Sequence, residues 1–213
     1  MKNSIVKKWG SVLLVSTVLA GCSAFPSQKD SLVYELPRAP NIQRQVNGAT
    51  VPLTLNVRTP SAGGEIDSRR ILVAPEPNVL QVYAGSRWSD PAPVLVRNRL
   101  VETLRQQGYV QTVMNDDPSV RANAFLQGDL LEFQSAYVAG ASIPQVRITY
   151  TATLVKPISH TVIAQKRFSV VQPAAGKEVP LVVQAFGLAS DNLAQQVAQW
   201  SQEILQMHAS QLQ

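Results

Sequence analysis

VRITYTATLVKPISHTVIAQKRFSVV, residues 146–171, alternates strictly over its first half: Val146, Ile148, Tyr150, Ala152 and Leu154 fall on one side, Arg147, Thr149, Thr151 and Thr153 on the other. Successive side chains of a strand point to opposite faces, so this pattern predicts a strand over 146–155 with one face on a core. Residues 156–160, containing Pro157 and His160, predict a turn, and 162–171 a returning strand, so the two form a hairpin. After a loop at 173–177 the period changes. Val183, Phe186, Ala189, Leu193, Val197, Trp200 and Ile204 recur every three or four residues, with Gln184, Gln195, Gln199 and Gln202 opposite. This predicts one long amphipathic helix over 181–207 lying on the sheet. A polar face of glutamine rather than lysine disfavours a helix lying on anionic lipid.

Upstream, strands are expected at 32–36, 51–57, 70–74, 79–83 and 109–113, with a loop at 59–68, and Pro75 and Pro77 should break the third of them. The strand expected at 125–134 changes phase around Leu130-Leu131, which predicts a bulge or a buried run. Ser89-Asp90-Pro91 predicts a helix start, with Asp90 as N-cap and Pro91 in the first turn, and Gly108 closes that helix. Its core stripe is Val94, Leu100, Val101 and Leu104; Leu95 points elsewhere, either as a partner contact or as an isolated exposed leucine. The fold class is therefore α+β: a single domain with a mixed, mainly antiparallel sheet and two main helices packed on it.

The 213 residues, 45% apolar and 15% charged, can bury a core of one domain without disulfides, and the single cysteine excludes a disulfide framework. A net charge of +5 would suit nucleic acid, but Lys2, Lys7 and Lys8 precede the apolar run 12–20, the pattern of a secretory signal too short to span a membrane. Without them 16 basic side chains face 14 acidic ones, a net charge of +2, and nucleic acid is no longer an expected partner. Leu19-Ala20-Gly21-Cys22 resembles the bacterial lipobox, in which small residues admit a peptidase and the Cys22 thiolate takes a diacylglyceryl group. The freed amine is then N-acylated. Each buried acyl CH₂ adds about 0.8 kcal/mol, so two or three chains make a durable anchor. Ser23 after the cysteine, by the sorting rule of such lipoproteins, favours the outer membrane, periplasmic face. The expected organisation is a signal peptide at 1–21, an acylated N-terminus and tether at 22–31, a folded domain at 32–207 and a C-terminal tail at 208–213.

No catalytic, metal-binding or cofactor-binding set stands out. His160 and His208 are read as solvated, Asp116-Asp117-Pro118 as a turn whose carboxylates cap amides, and Asp129 and Glu132 lack an identifiable base or metal partner. The only cofactor-like group expected is the covalent lipid on Cys22. Candidate partner contacts are Arg87 and Trp88, although a buried tryptophan fixing the strand-to-helix corner is the stronger reading, and the apolar loop carrying Tyr137 and Val138. That loop either touches a partner or lipid tail or folds over the core.

The stretch 83–104, YAGSRWSDPAPVLVRNRLVETL, resembles the Arg-Trp-small-acidic-Pro entry to the first helix of ABC-type transport auxiliary lipoproteins, which include the PqiC-like subunit of paraquat-inducible MCE systems. Tyr34-Glu35-Leu36, the segment 71–77, the hairpin with Lys166-Arg167-Phe168 and the helix with Trp200 follow in the same order. The resemblance implies a non-enzymatic role: docking on an MCE-domain protein, and through it on an ABC permease and ATPase, in phospholipid transport that supports envelope integrity. The residues leave the oligomeric state open, a homo-oligomer included. The alternative reading is a periplasm-facing lipoprotein that binds a small ligand or cell-wall glycan, with Thr149, Thr151 and Thr153 as the candidate face.

Overall fold

A computed structural model describes residues 31–38, 50–119 and 121–212. Cys22, the signal and the tether lie outside the described residues. The elements are β1 (Leu32–Tyr34), β2 (Val51–Val57), β3 (Ser61–Ala62), β4 (Arg70–Glu76), β5 (Val79–Trp88), α1 (Ala92–Gln107), β6 (Val110–Asn115), β7 (Ala124–Ala136), β8 (Gln145–Val155), β9 (Val162–Pro173), α2 (Val179–Met207) and α3 (Ala209–Leu212).

The strand β7 is the spine of one mixed sheet. Along one edge it pairs antiparallel with β8 from Phe125↔Val155 to Ala136↔Gln145, and β8 pairs antiparallel with β9. Along the other edge it takes three parallel strands in turn: β2 at Ala124–Leu126, β3 at Asp129 and Leu130, and β4 at Ser135 and Ala136. The sheet then branches, β2 continuing to β6 and β4 continuing through β5 to β1. The expected bulge is present. Leu130 pairs with Tyr150 and Glu132 with Thr149, so Leu131 is the extra residue. The inserted residue inverts the alternation, and Leu130 before it and Phe133 after it both reach the core.

Both long helices cover one face of the sheet, α2 over β8 and β9, and α1 against β2, β6 and α2. The buried side of the central hairpin is the one the alternation predicts: Val146, Ile148, Tyr150, Ala152 and Leu154 are all buried. Gly128 on β7 allows a close approach of β8, since a Cβ there would meet the Thr151 carbonyl oxygen.

Several expectations need correction. The strand β4 runs through Pro75 to Glu76, because an irregularity in its pairing with β5 between Val73 and Glu76 spares a proline that has no N–H to donate. The strand β5 continues past Gly85, which adopts φ +67, to Trp88. Asp90 makes no cap. Pro91 is the N-cap, the Ala92 N–H donates to the Ser68 carbonyl at 3.2 Å, and the Asp90 carboxylate lies 3.7 Å from Arg69. Gly108 does close α1, in the left-handed conformation, its N–H reaching the Leu104 carbonyl. The expected tail at 208–213 is instead folded over its described part: α3 packs on β2, Leu212 is buried, and its carbonyl accepts from Asn123 Nδ2 at 2.8 Å.

Tyr109 and Tyr150 are buried among these elements, and burial pushes both phenols above the ordinary 10.0. In the unfolded chain they ionise near that value, so the stability they contribute is complete below pH 10 and is lost as the pH rises beyond it. Alkaline titration followed by tyrosinate absorbance and circular dichroism should therefore show the ionisation of these two of the five tyrosines coinciding with unfolding. Complete ionisation with the dichroism intact would contradict their burial.

Candidate functional site

The first candidate is the corner at Arg87-Trp88. Trp88 is fully buried. Its ring meets Phe186 of α2 edge-on at 5.2 Å and Phe133 of β7 at 5.9 Å, while Phe133 and Phe186 lie 4.9 Å apart. The Trp88 N–H donates to the Arg69 carbonyl at 2.7 Å, and the Ser89 N–H to the Tyr34 carbonyl at 2.8 Å. This side chain holds the strand-to-helix turn and is not available to a partner. Arg87 beside it is half-buried and has no ion-pair partner among the described residues.

Leu95 is likewise buried, which corrects its reading as an exposed contact. The helix α1 packs on α2 as well as on the sheet, so its apolar coverage extends well beyond one stripe. Val94 is left half-exposed.

One turn after Leu95, Arg99 forms a buried ion pair with Asp191 of α2, Nη1 donating to Oδ1. Its other terminal nitrogen donates to the Pro37 carbonyl at 2.5 Å and to the Leu36 carbonyl at 3.3 Å. Burial lowers the Arg99 pKa from its usual value. Pro37 is also seated on Gly187, where a Cβ would come within 2.8 Å of the Pro37 carbonyl oxygen. Arg38 follows, 3.7 Å from Glu102. A strap that continues β1 is thus bound across the pair of helices by one guanidinium. Sequence reasoning missed this cluster, although a signal was present: Asp191 is the only charged residue between Glu178 and Glu203.

The second surface is the sheet end where β4 turns into β5 at Pro77-Asn78, with Asn78 at φ 65, and where β7 gives way to the loop 137–144. The loop is tied by Tyr137 N–H to the Ala74 carbonyl at 3.0 Å and by Ala141 N–H to the Val138 carbonyl at 2.9 Å. Between hairpin and loop lies an open cavity of about 460 Å³ lined by Pro75, Glu76, Pro77, Tyr137, Val138 and Gly140 among others. On the same hairpin and loop, Val79, Leu80, Val82, Val138 and Ile143 are 39–53% exposed. Of the expected contacts, Tyr137 and Val138 fall here.

The remaining polar candidates are engaged locally. Asp116 accepts from Thr59 N–H at 3.2 Å and its hydroxyl at 2.8 Å. Asp117 accepts from the Ser119 hydroxyl and N–H, and these bonds hold its carboxyl below the usual range. Glu132 accepts from the Thr149 hydroxyl and lies 3.7 Å from Arg147. Thr149 and Thr153, named as part of a candidate ligand face, are buried because β8 is an interior strand flanked by β7 and β9; Gln165 closes over Thr153 at 3.0 Å. His160 is exposed in the hairpin turn. His208 is half-buried at the end of α2, with Nδ1 2.9 Å from the Ile204 carbonyl oxygen. Among the described residues no group of three or more histidine, cysteine or acidic side chains could hold a metal, and no helix is long and apolar enough to cross a membrane.

Comparison with known proteins identifies the fold. No curated protein matches the chain. A crystal structure of a Xanthomonas campestris protein of the DUF330 family superposes with TM-score 0.74 at 28% identity, covering 84% of this chain and 99% of that one. A crystal structure of an uncharacterized protein gives TM-score 0.63 at 14% identity, covering 81% of this chain and 99% of that one, and shares the fold. The family model described as the ABC-type transport auxiliary lipoprotein component matches residues 34–198, from the end of β1 to Ala198 in α2, taking in the Arg87-Trp88 corner, the strap and the Arg99–Asp191 pair. The chain belongs to the ABC-type transport auxiliary lipoprotein component family.

Proposed function

We propose that the protein is a non-catalytic auxiliary lipoprotein of an MCE/ABC-type intermembrane phospholipid transport system. Diacylglyceryl and N-acyl chains on Cys22 anchor it to the periplasmic face of the outer membrane, and the folded domain docks on an MCE-domain partner, supporting envelope integrity. The observation that carries this reading is membership of the ABC-type transport auxiliary lipoproteins across residues 34–198. The lipobox at Cys22, ten residues before Leu32, adds the anchor.

The physical contribution is attachment rather than chemistry. A domain confined near a membrane meets its partner at a high effective concentration, so a small docking surface suffices. Arg87, half-exposed next to the buried Trp88, is available for such a contact.

The test is co-purification. A tagged full-length chain, solubilised from membranes, should bring down an MCE-domain protein and its permease; recovery without either rejects the transport role. Palmitate labelling should be lost in Cys22→Ser, together with membrane retention. Equal labelling of the two forms rejects the anchor.

A further inference from the structure

The sheet end formed by the β4–β5 hairpin and the loop 137–144 combines three properties. It projects Leu80, Val82, Val138 and Ile143 to the outside. Its turns are built with positive φ at Asn78 and Gly140, so these apolar side chains stand on defined backbone rather than on an unstructured loop. Residues 75–82 and 137–144 contain no lysine or arginine and one charged side chain, Glu76.

The direction of the chain says what covers this end. The strand β1 is parallel to β5 and pairs Leu32 with Ser86, so the polypeptide arrives at Leu32 travelling from the Val79 end, the end that carries the apolar residues. Cys22 lies ten residues before Leu32, a stretch that reaches at most about 36 Å. From Ser86 back to Val79 the strand covers seven residues, about 23 Å. Chain length alone therefore lets Cys22 reach the hairpin tip and pass it by no more than about 13 Å.

We propose that the hairpin 75–82 and the loop 137–144 form a bilayer-contacting surface, seated on the leaflet into which Cys22 is anchored. This rests on the reading of Cys22 as the anchor. The occupant is lipid, and the attraction is apolar. With no cationic side chain on the surface, contact does not need anionic headgroups and persists at high salt. Side chains of this size enter only the headgroup and acyl boundary, about 5–10 Å deep. The opposite end of the β8–β9 hairpin supplies an internal control, because Ile158 in its turn is 98% exposed and lies away from the surface in question.

The experiment uses the full-length lipidated protein in phosphatidylcholine vesicles. Leu80→Cys, Val138→Cys and Ile158→Cys each introduce the one free thiol, since Cys22 is acylated on sulfur, and each is labelled with a polarity-sensitive fluorophore. Labels at 80 and 138 should shift to the blue and be quenched several-fold more by shallow doxyl lipids than the label at 158, with no loss at high salt. If the protein floats with the vesicles while all three labels emit alike, the bilayer contact is overturned and the anchor stands. A chain that does not float at all overturns both. A blue shift without doxyl quenching, with a dimer in sedimentation, assigns the surface to a second copy and also overturns the proposal.

Discussion

Replacing Trp88 with alanine is expected to destabilise the domain by about 3–5 kcal/mol, read from the urea midpoint at unchanged m-value. The indole is fully buried, and its truncation leaves a cavity between Phe133 and Phe186 while removing two edge-on ring contacts worth roughly 0.5–1.5 kcal/mol each. Nothing compensates, because the backbone on both sides is committed: Trp88 N–H to Arg69, Ser89 N–H to Tyr34. Trp88→Phe should lose much less, since a ring remains and Nε1 has no hydrogen-bond partner to forfeit. A domain stable by 5–15 kcal/mol is left marginal by the alanine variant. The damage should also show locally, as faster amide exchange in β1, whose Tyr34 carbonyl is held from this corner. A loss under about 1 kcal/mol would mean that the corner is not a structural keystone.

How far the fold could be read in advance follows from what each residue has to satisfy. The hairpin β8–β9 and the bulge at Leu131 were legible because alternation and its inversion are local properties of one strand. The long helix was legible for the same reason, its apolar period being sustained from Val183 to Ile204. The short strands were less so. β3 is two residues long and exists only because β7 passes Ser61 and Ala62, a contact between residues more than sixty positions apart. Asp90 has the chemistry of an N-cap, but Arg69 competes for the carboxylate and the Ser68 carbonyl takes the Ala92 N–H. Leu95 is read from the sequence as lying off the buried stripe of α1 because helical periodicity describes one buried face, whereas this helix is covered by α2 as well as by the sheet. At the candidate site, the Arg-Trp pattern marks a corner whose tryptophan is buried, as the corner reading of those two residues has it. The strap could not be read, because its acceptors are backbone carbonyls and any residue type provides those.

The strap leads to the second large effect, at the Arg99–Asp191 pair. Arg99→Met leaves the Asp191 carboxylate buried and unpaired and is expected to cost about 3–5 kcal/mol; Asp191→Leu strands the guanidinium and should cost a similar amount. The combined variant Arg99→Met/Asp191→Leu removes both desolvation penalties, replaces the pair with apolar contact between α1 and α2, and should recover most of the loss in a double-mutant cycle. One deficit should remain. The carbonyls of Leu36 and Pro37 lose the donor they share, because methionine has none to replace it. Global stability near wild type with selectively increased proteolysis or amide exchange across residues 36–38 is therefore the signature expected of the double variant. Two single variants each within about 1 kcal/mol of wild type would show that the pair is not buried as a lock. The outcome matters beyond stability, because β1 and the strap are the first described stretch of chain after the residues that join the domain to Cys22. If Cys22 carries the proposed lipid, a force on that anchor is passed to the fold there. Parallel pairing of Leu32–Tyr34 with Ser86–Trp88 would resist it over only three residues, and the strap extends that grip to both helices at once.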